Sequence, residues 1–167
     1  YVFKRSGVSW TQQDKLLAEY GSDSAVFGES VSISGDYALV GEPQDIPNDV
    51  ATGSAWIFKR SGNDWIRQKK LLAEDGAEDD YFGKSVSISG ETAFIGAAFD
   101  DDGGNLTGSV YVFAIMFEVI VNSSAGGTVN LPGKNFVTNG SDFTVSATAL
   151  AGYSFIGWTG DEVSNDN

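Results

Sequence analysis

An all-β fold is predicted for this chain by three observations: a long internal repeat, period-two alternation inside each copy, and Gly-rich turns at fixed places. Phe27-Gly28-Glu29-Ser30-Val31-Ser32-Ile33-Ser34-Gly35 returns as Phe82-Gly83-Lys84-Ser85-Val86-Ser87-Ile88-Ser89-Gly90, 55 residues later. The offset holds without a gap from Tyr1/Trp56 to Ser54/Ser109, and 27 residues are identical over that window. Identity at that level over one fixed period outranks local propensity and indicates a repeat architecture.

Each copy reads as strands joined by turns. Tyr1-Val2-Phe3-Lys4-Arg5, Trp56-Ile57-Phe58-Lys59-Arg60 and Tyr111-Val112-Phe113 are aromatic and β-branched runs, suited to a strand with side chains on both faces. Ser6-Gly7 and Ser61-Gly62 interrupt them. The next stretch, Trp10–Glu19 and Trp65–Glu74, holds helix formers such as Gln13, Lys15 and Leu16, and Gly21 could cap a helix. It is short for an independent helix, and its place after a strand and turn favours an outer strand. An acidic loop follows, Tyr20–Ala25 or Asp75–Asp80.

In Ser30–Ser34, Val31 and Ile33 point one way and the serines the other. Small serines suit a face where neighbouring sheets converge. Gly35-Asp36 and Gly90-Glu91 are natural two-residue hairpin turns. Ala38-Leu39-Val40-Gly41 and Ala93-Phe94-Ile95-Gly96 return as second strands, and a loop leads to Gly53-Ser54 or Gly108-Ser109. Four antiparallel strands per period is the unit of a β-propeller blade. The expected fold is therefore all-β: a partial β-propeller of about two four-stranded blades over residues 1–113, at 26–74 and at 82–113 plus whatever replaces the latter's missing outer strand, and a small β module over 114–167.

Phe27-Gly28 with Gly41-Glu42-Pro43, and Phe82-Gly83 with Gly96-Ala97-Ala98, resemble FG-GAP repeats over residues 1–113. Such repeats are the blades of integrin α-subunit propellers and of many bacterial secreted or surface proteins. The Gly-Ala-Pro element is altered in both copies. Integrin-type repeats carry an alternating Asp/Asn calcium loop between their first two strands. Here that hairpin is only Ser34-Gly35-Asp36 or Ser89-Gly90-Glu91, short of the roughly 6–8 oxygens calcium takes. The family's metal site is therefore not carried over to these residues, and no cofactor is expected. Asp100-Asp101-Asp102-Gly103-Gly104 is the other calcium candidate; consecutive side chains diverge, so it reads as a solvated turn.

After Phe113 the repeat stops, since no Lys-Arg-Ser-Gly follows. Phe117–Val121 is expected either to pair at that edge or, in preference, to begin the C-terminal module. That module is expected to have a turn at Leu131-Pro132-Gly133-Lys134 and a strand over Phe143–Ala149. Gly126-Gly127-Thr128-Val129, Ala147-Thr148-Ala149 and Ala151-Gly152-Tyr153-Ser154-Phe155-Ile156-Gly157-Trp158-Thr159-Gly160-Asp161 resemble the divergent internalin B-type repeat of bacterial surface proteins, over residues 117–167. Tyr153, Phe155 and Trp158 are read as this small module's core rather than a sugar-stacking platform.

Composition narrows the function classes. Net charge is −13, and after Lys84 the only basic residue is Lys134, which argues against nucleic acid and anionic membrane. Cys and His are absent, which removes disulfides, the usual zinc ligand sets and His-dependent nucleophilic triads. The apolar run Val110–Phe117 is too short to span a bilayer, which takes about 20 residues. Asn105, Asn122 and Asn139 begin Asn-x-Ser/Thr triplets of the kind that chance supplies in a Ser/Thr-rich chain.

Three functional readings follow. The leading one is a non-catalytic extracellular or cell-surface binding or adhesion module with a protein or glycan ligand. The alternatives are a structural spacer and a piece of a propeller glycosidase or lyase. No nucleophile–base pair is visible, so no catalytic, cofactor or metal residue is assigned. The chain opens inside a repeat and reads as an excerpt of a longer polypeptide. The remaining blades of that chain would then be partners for apolar faces that include Val31, Ile33, Val86 and Ile88.

Overall fold

In a computed structural model, residues 1–19, 25–138 and 143–159 are described. The chain forms two compact units, Tyr1–Ala114 and Ile115–Asn167. Both are all-β, with antiparallel strand pairs and no closed barrel, an arrangement consistent with a partial propeller and a small β module.

The first unit begins with a hairpin, β1 (Val2–Ser6) and β2 (Ser9–Asp14). A four-stranded sheet follows, in the order β3 (Ser30–Ser34), β4 (Tyr37–Glu42), β5 (Ser54–Ser61) and β6 (Asp64–Leu71). The second sheet is β7 (Phe82–Ser89), β8 (Thr92–Ala97) and β9 (Ser109–Ala114). It has three strands and lacks the outer strand, as the end of the repeat after Phe113 leads one to expect. The reason is sequence: the partner of β5 is the Trp65-led strand, and nothing like it follows β9. Of the helix formers after Trp10 and Trp65, Gln13 lies in β2 and Gln68, Lys70 and Leu71 in β6, where β1 and β5 offer paired edges, while Lys15 and Leu16 follow β2 outside any strand.

Both inner hairpins turn through two residues, Ser34 pairing with Tyr37 and Ser89 with Thr92. Gly35 and Gly90 take φ of +56° and +55° there, the conformation that opens such a turn.

The two sheets meet along the serine face of β3. The Ser30 hydroxyl donates to the Gly83 carbonyl at 2.8 Å. The N–H groups of Ile88 and Gly90 donate to the hydroxyls of Ser32 and Ser34 at 3.1 and 3.0 Å. Hydroxyls this short reach a neighbouring backbone only when sheets converge, and each bond satisfies a main-chain group. Lys84 adds an ion pair to Glu29.

The Phe-Gly pair is the peg of this joint. Phe82 is fully buried, and its ring lies edge-on to Tyr111 and Phe113, with centroids 5.3 and 6.1 Å away. Its N–H donates to the Thr52 carbonyl at 2.9 Å, beside a parallel bridge between Gly53 and Phe82. A Cβ on Gly83 would come within 2.1 Å of the Ser54 carbonyl oxygen, and one on Gly41 within 2.0 Å of the Gly83 oxygen. Gly41 and the Phe-Gly pair of the next copy are therefore two halves of one close backbone contact.

Register divides the first sheet into two faces. Ala38, Val40, Trp56 and Phe58 lie on one, and with Trp65 form a core cluster against which Val2, Leu16 and Phe27 pack. Val31 and Ile33 share that face at its inner end and stay exposed. Leu39, Ala55 and Ile57 lie on the other face, buried toward the second sheet. Ile88 is buried and Val86 half-buried at the positions matching Ile33 and Val31.

The second unit pairs β10 (Met116–Val121) with β12 (Gly133–Thr138), and β11 (Gly127–Val129) with β13 (Ala147–Ala149). Phe117–Val121 therefore begins this module. Gly133 and Lys134 open β12 rather than completing a turn, and the expected strand over Phe143–Ala149 shortens to Ala147–Ala149.

Candidate functional site

The acidic turn between β8 and β9 folds back on itself. Asp100 is almost wholly buried. It accepts the Asp102 N–H on Oδ1 at 3.0 Å, and its Oδ2 lies 2.9 Å from the Tyr111 hydroxyl. That hydroxyl also lies 2.8 Å from Asp75 Oδ1. A phenol has one proton, so the two carboxylates compete for it. The Asp102 N–H, aided by the Tyr111 hydroxyl, holds the Asp100 carboxyl below its ordinary range despite burial. The charges of Asp100 and Asp75 push exposed Asp102 up, and burial pushes the Tyr111 phenol up, with both carboxylates adding to it. Among the described residues, no three Asp or Glu side chains converge so as to hold a metal ion. The hairpin carboxylate Asp36 is engaged by Arg60, whose Nε donates to it at 2.7 Å.

The same place in the first sheet is built differently. Glu42, 1% exposed, takes the position of Ala97. Its Oε2 accepts the Trp56 indole N–H at 2.6 Å and the Ser54 hydroxyl at 3.3 Å, and no hydrogen-bond donor reaches Oε1. Burial raises the Glu42 pKa, with nearby Asp45 adding to the shift; Trp56, Lys70 and Ser54 oppose it. Lys70, from β6, makes an ion pair with buried Asp45. Lys70 Nζ and Arg67 Cζ stand 5.0 and 5.3 Å from the centre of the Trp56 ring.

The repeat also supplies an internal comparison of faces. Leu39 is 0% exposed and its counterpart Phe94 is 42% exposed; Ile57 is 5% and Val112 is 61%. Burial at these positions comes from the second sheet, and among the described residues of the first unit nothing covers Phe94 and Val112 in the same way. The outer edge of β9 has no paired strand there either, among the described residues.

In the second unit, a groove of about 580 Å³ is lined by the β11 and β13 region and by Tyr153, Phe155 and Trp158. Phe155 and Trp158 meet edge to face at 5.3 Å, and Tyr153 covers Gly126. Tyr153 is 64% exposed, Phe155 is exposed and Trp158 half-buried. This corrects the reading of these rings as the module's core: strands as short as β11 and β13 cannot enclose them. Gly160 and Asp161 of the same motif lie outside the described residues.

Sequence reasoning located the acidic turn but not its junction with Asp75 and Tyr111. It also passed over Glu42, whose signal was the Glu-for-Ala difference between the copies.

The fold and these joints define a β-rich repeat module. The family model described as FG-GAP repeat matches residues 10–58 and 65–113, and that described as Divergent InlB B-repeat domain matches residues 117–167. The chain belongs to the FG-GAP repeat family, followed by the InlB-type repeat. Such repeats are typical of surface or secreted proteins, and no helix among the described residues is long and apolar enough to cross a membrane. No curated protein matches the chain. The matched windows run one strand out of step with the sheets: the 65–113 match opens on β6, which completes the preceding sheet. Each repeat therefore ties itself to its neighbour through main-chain hydrogen bonds as well as through the Phe-Gly peg.

Proposed function

We propose that this chain is a non-catalytic binding or adhesion module of a bacterial secreted or cell-surface protein. Its FG-GAP repeats act as β-propeller blades that present loops to a protein or glycan ligand, and further blades of the parent chain complete the propeller. The observation that carries this reading is the succession of FG-GAP and InlB-type repeats in one chain. The joined sheets support it, since a stiff scaffold with variable loops suits recognition. The Asp100 carboxylate at the acidic turn is occupied with the Asp102 N–H and the Tyr111 hydroxyl, a structural use that suits a non-catalytic loop. A spacer role is the second reading for the InlB-type unit, favoured by its two small, separate strand pairs.

The test is binding of the labelled full chain to immobilised polysaccharides and extracellular-matrix proteins, alongside a reducing-end assay on the same polysaccharides. Saturable binding that unlabelled chain displaces, without new reducing ends, is the expected result. Release of reducing ends, or no saturable binding to any surface, would overturn it.

A further inference from the structure

The two sheets differ at their outer edges. β6 pairs with β5 from Ala55↔Leu71 to Ser61↔Asp64, whereas among the described residues β9 pairs with β8 alone. An open edge of main-chain N–H and C=O groups is a template for an added strand. The first sheet shows what such a strand looks like here. Lys70 lies opposite Trp56 and Arg67 opposite Phe58, both cations stand over the indole, and Lys70 reaches buried Asp45.

One period on, Tyr111 stands for Trp56 and Asp100 for Asp45, but Ala125 falls where Lys70 would be and lies in the second unit. The acceptors have been kept and their basic strand has not. Asp75 adds a carboxylate that shares the Tyr111 hydroxyl, and Asp102, whose N–H binds Asp100, adds another close enough to feel the charges of both. Asp102 bears the repulsion of the other two, and the corner carries a charge that complements the β6 type of strand.

We propose that the outer edge of β9, Ser109–Ala114, is a docking site for an extended basic strand of a partner polypeptide. The strand adds antiparallel to β9 as β6 adds to β5, and sets a Lys or Arg opposite Tyr111, against Asp75, Asp100 and Asp102. This deepens the reading as a binding module and rests on it, by naming an edge and a class of partner.

The probe is a synthetic peptide with the sequence of residues 62–73, titrated into the full chain by fluorescence anisotropy, with amide hydrogen exchange mapped on the complex. Saturable one-to-one binding is expected, with slowed exchange at Val110–Phe113. A Lys70→Glu change in the peptide should weaken binding by about tenfold or more, the scale of a lost charge pair at an interface. Asp102→Asn in the protein should weaken it too. Equal binding of a scrambled peptide, protection elsewhere in the chain, or no binding would each overturn the proposal. Surface binding that persists while the peptide fails would refute the edge site alone and leave the broader reading standing.

Discussion

Ile57 and Val112 occupy the same position in successive repeats, yet one is 5% and the other 61% exposed. Truncating each to Ala therefore measures what the joint between the sheets contributes. Ile57→Ala removes about three buried methyl or methylene groups, worth about 0.8 kcal/mol each before any cavity, so a loss of about 3 kcal/mol is expected. Val112→Ala removes about two such groups at a site with only a fraction of its surface covered, and should cost about 0.6 kcal/mol. The assay is urea unfolding followed by tryptophan fluorescence, since Trp56 and Trp65 sit in the core cluster on the opposite face of the same sheet. A ratio near five supports the joint. Equal losses would refute it, because they would mean that the second sheet does not bury the first.

Other outcomes follow from the same geometry. Gly83→Ala should destabilise the first unit by more than Val112→Ala, since its Cβ would meet the Ser54 carbonyl at 2.1 Å; equal urea midpoints would contradict the peg. Glu42→Gln should raise stability at pH 7. Its folded pKa lies above the unfolded value, so ionisation is a penalty that is absent below the unfolded pKa and grows until pH passes the folded one. The Gln keeps an acceptor for Trp56, and the gain over wild type should vanish near pH 4 in parallel melts; a gain independent of pH would count against the mechanism. Millimolar calcium should leave the melting temperature nearly unchanged, and a saturable rise abolished by Asp100→Ala or Asp102→Ala would show a site at the acidic turn.

Much of the fold was legible because a repeat shows its own boundaries. The Val31–Ile33 alternation and the Gly35 and Gly90 turns led directly to β3, β4, β7 and β8. Even the missing strand was visible, as the absence of Lys-Arg-Ser-Gly after Phe113. The aromatic motif of the second unit was misread because burial is a tertiary property: three rings near one another predict a core only if strands long enough to cover them exist. The candidate edge was half legible. Asp45 and Asp100 align by sequence, but only packing shows that Lys70 answers the first and that Asp75, 25 residues before Asp100, comes to stand beside the second.

The central claim is that successive repeats dock through the serine face and the Phe-Gly peg. Amide hydrogen exchange at Phe82, Ile88 and Gly90 tests it most directly, because their N–H groups donate across the joint to Thr52, Ser32 and Ser34. The account predicts that these amides exchange as slowly as those of β4 and β5, and that Gly83→Ala speeds all three together. Exchange at the rate of an unfolded peptide, while β4 and β5 stay protected, would contradict it.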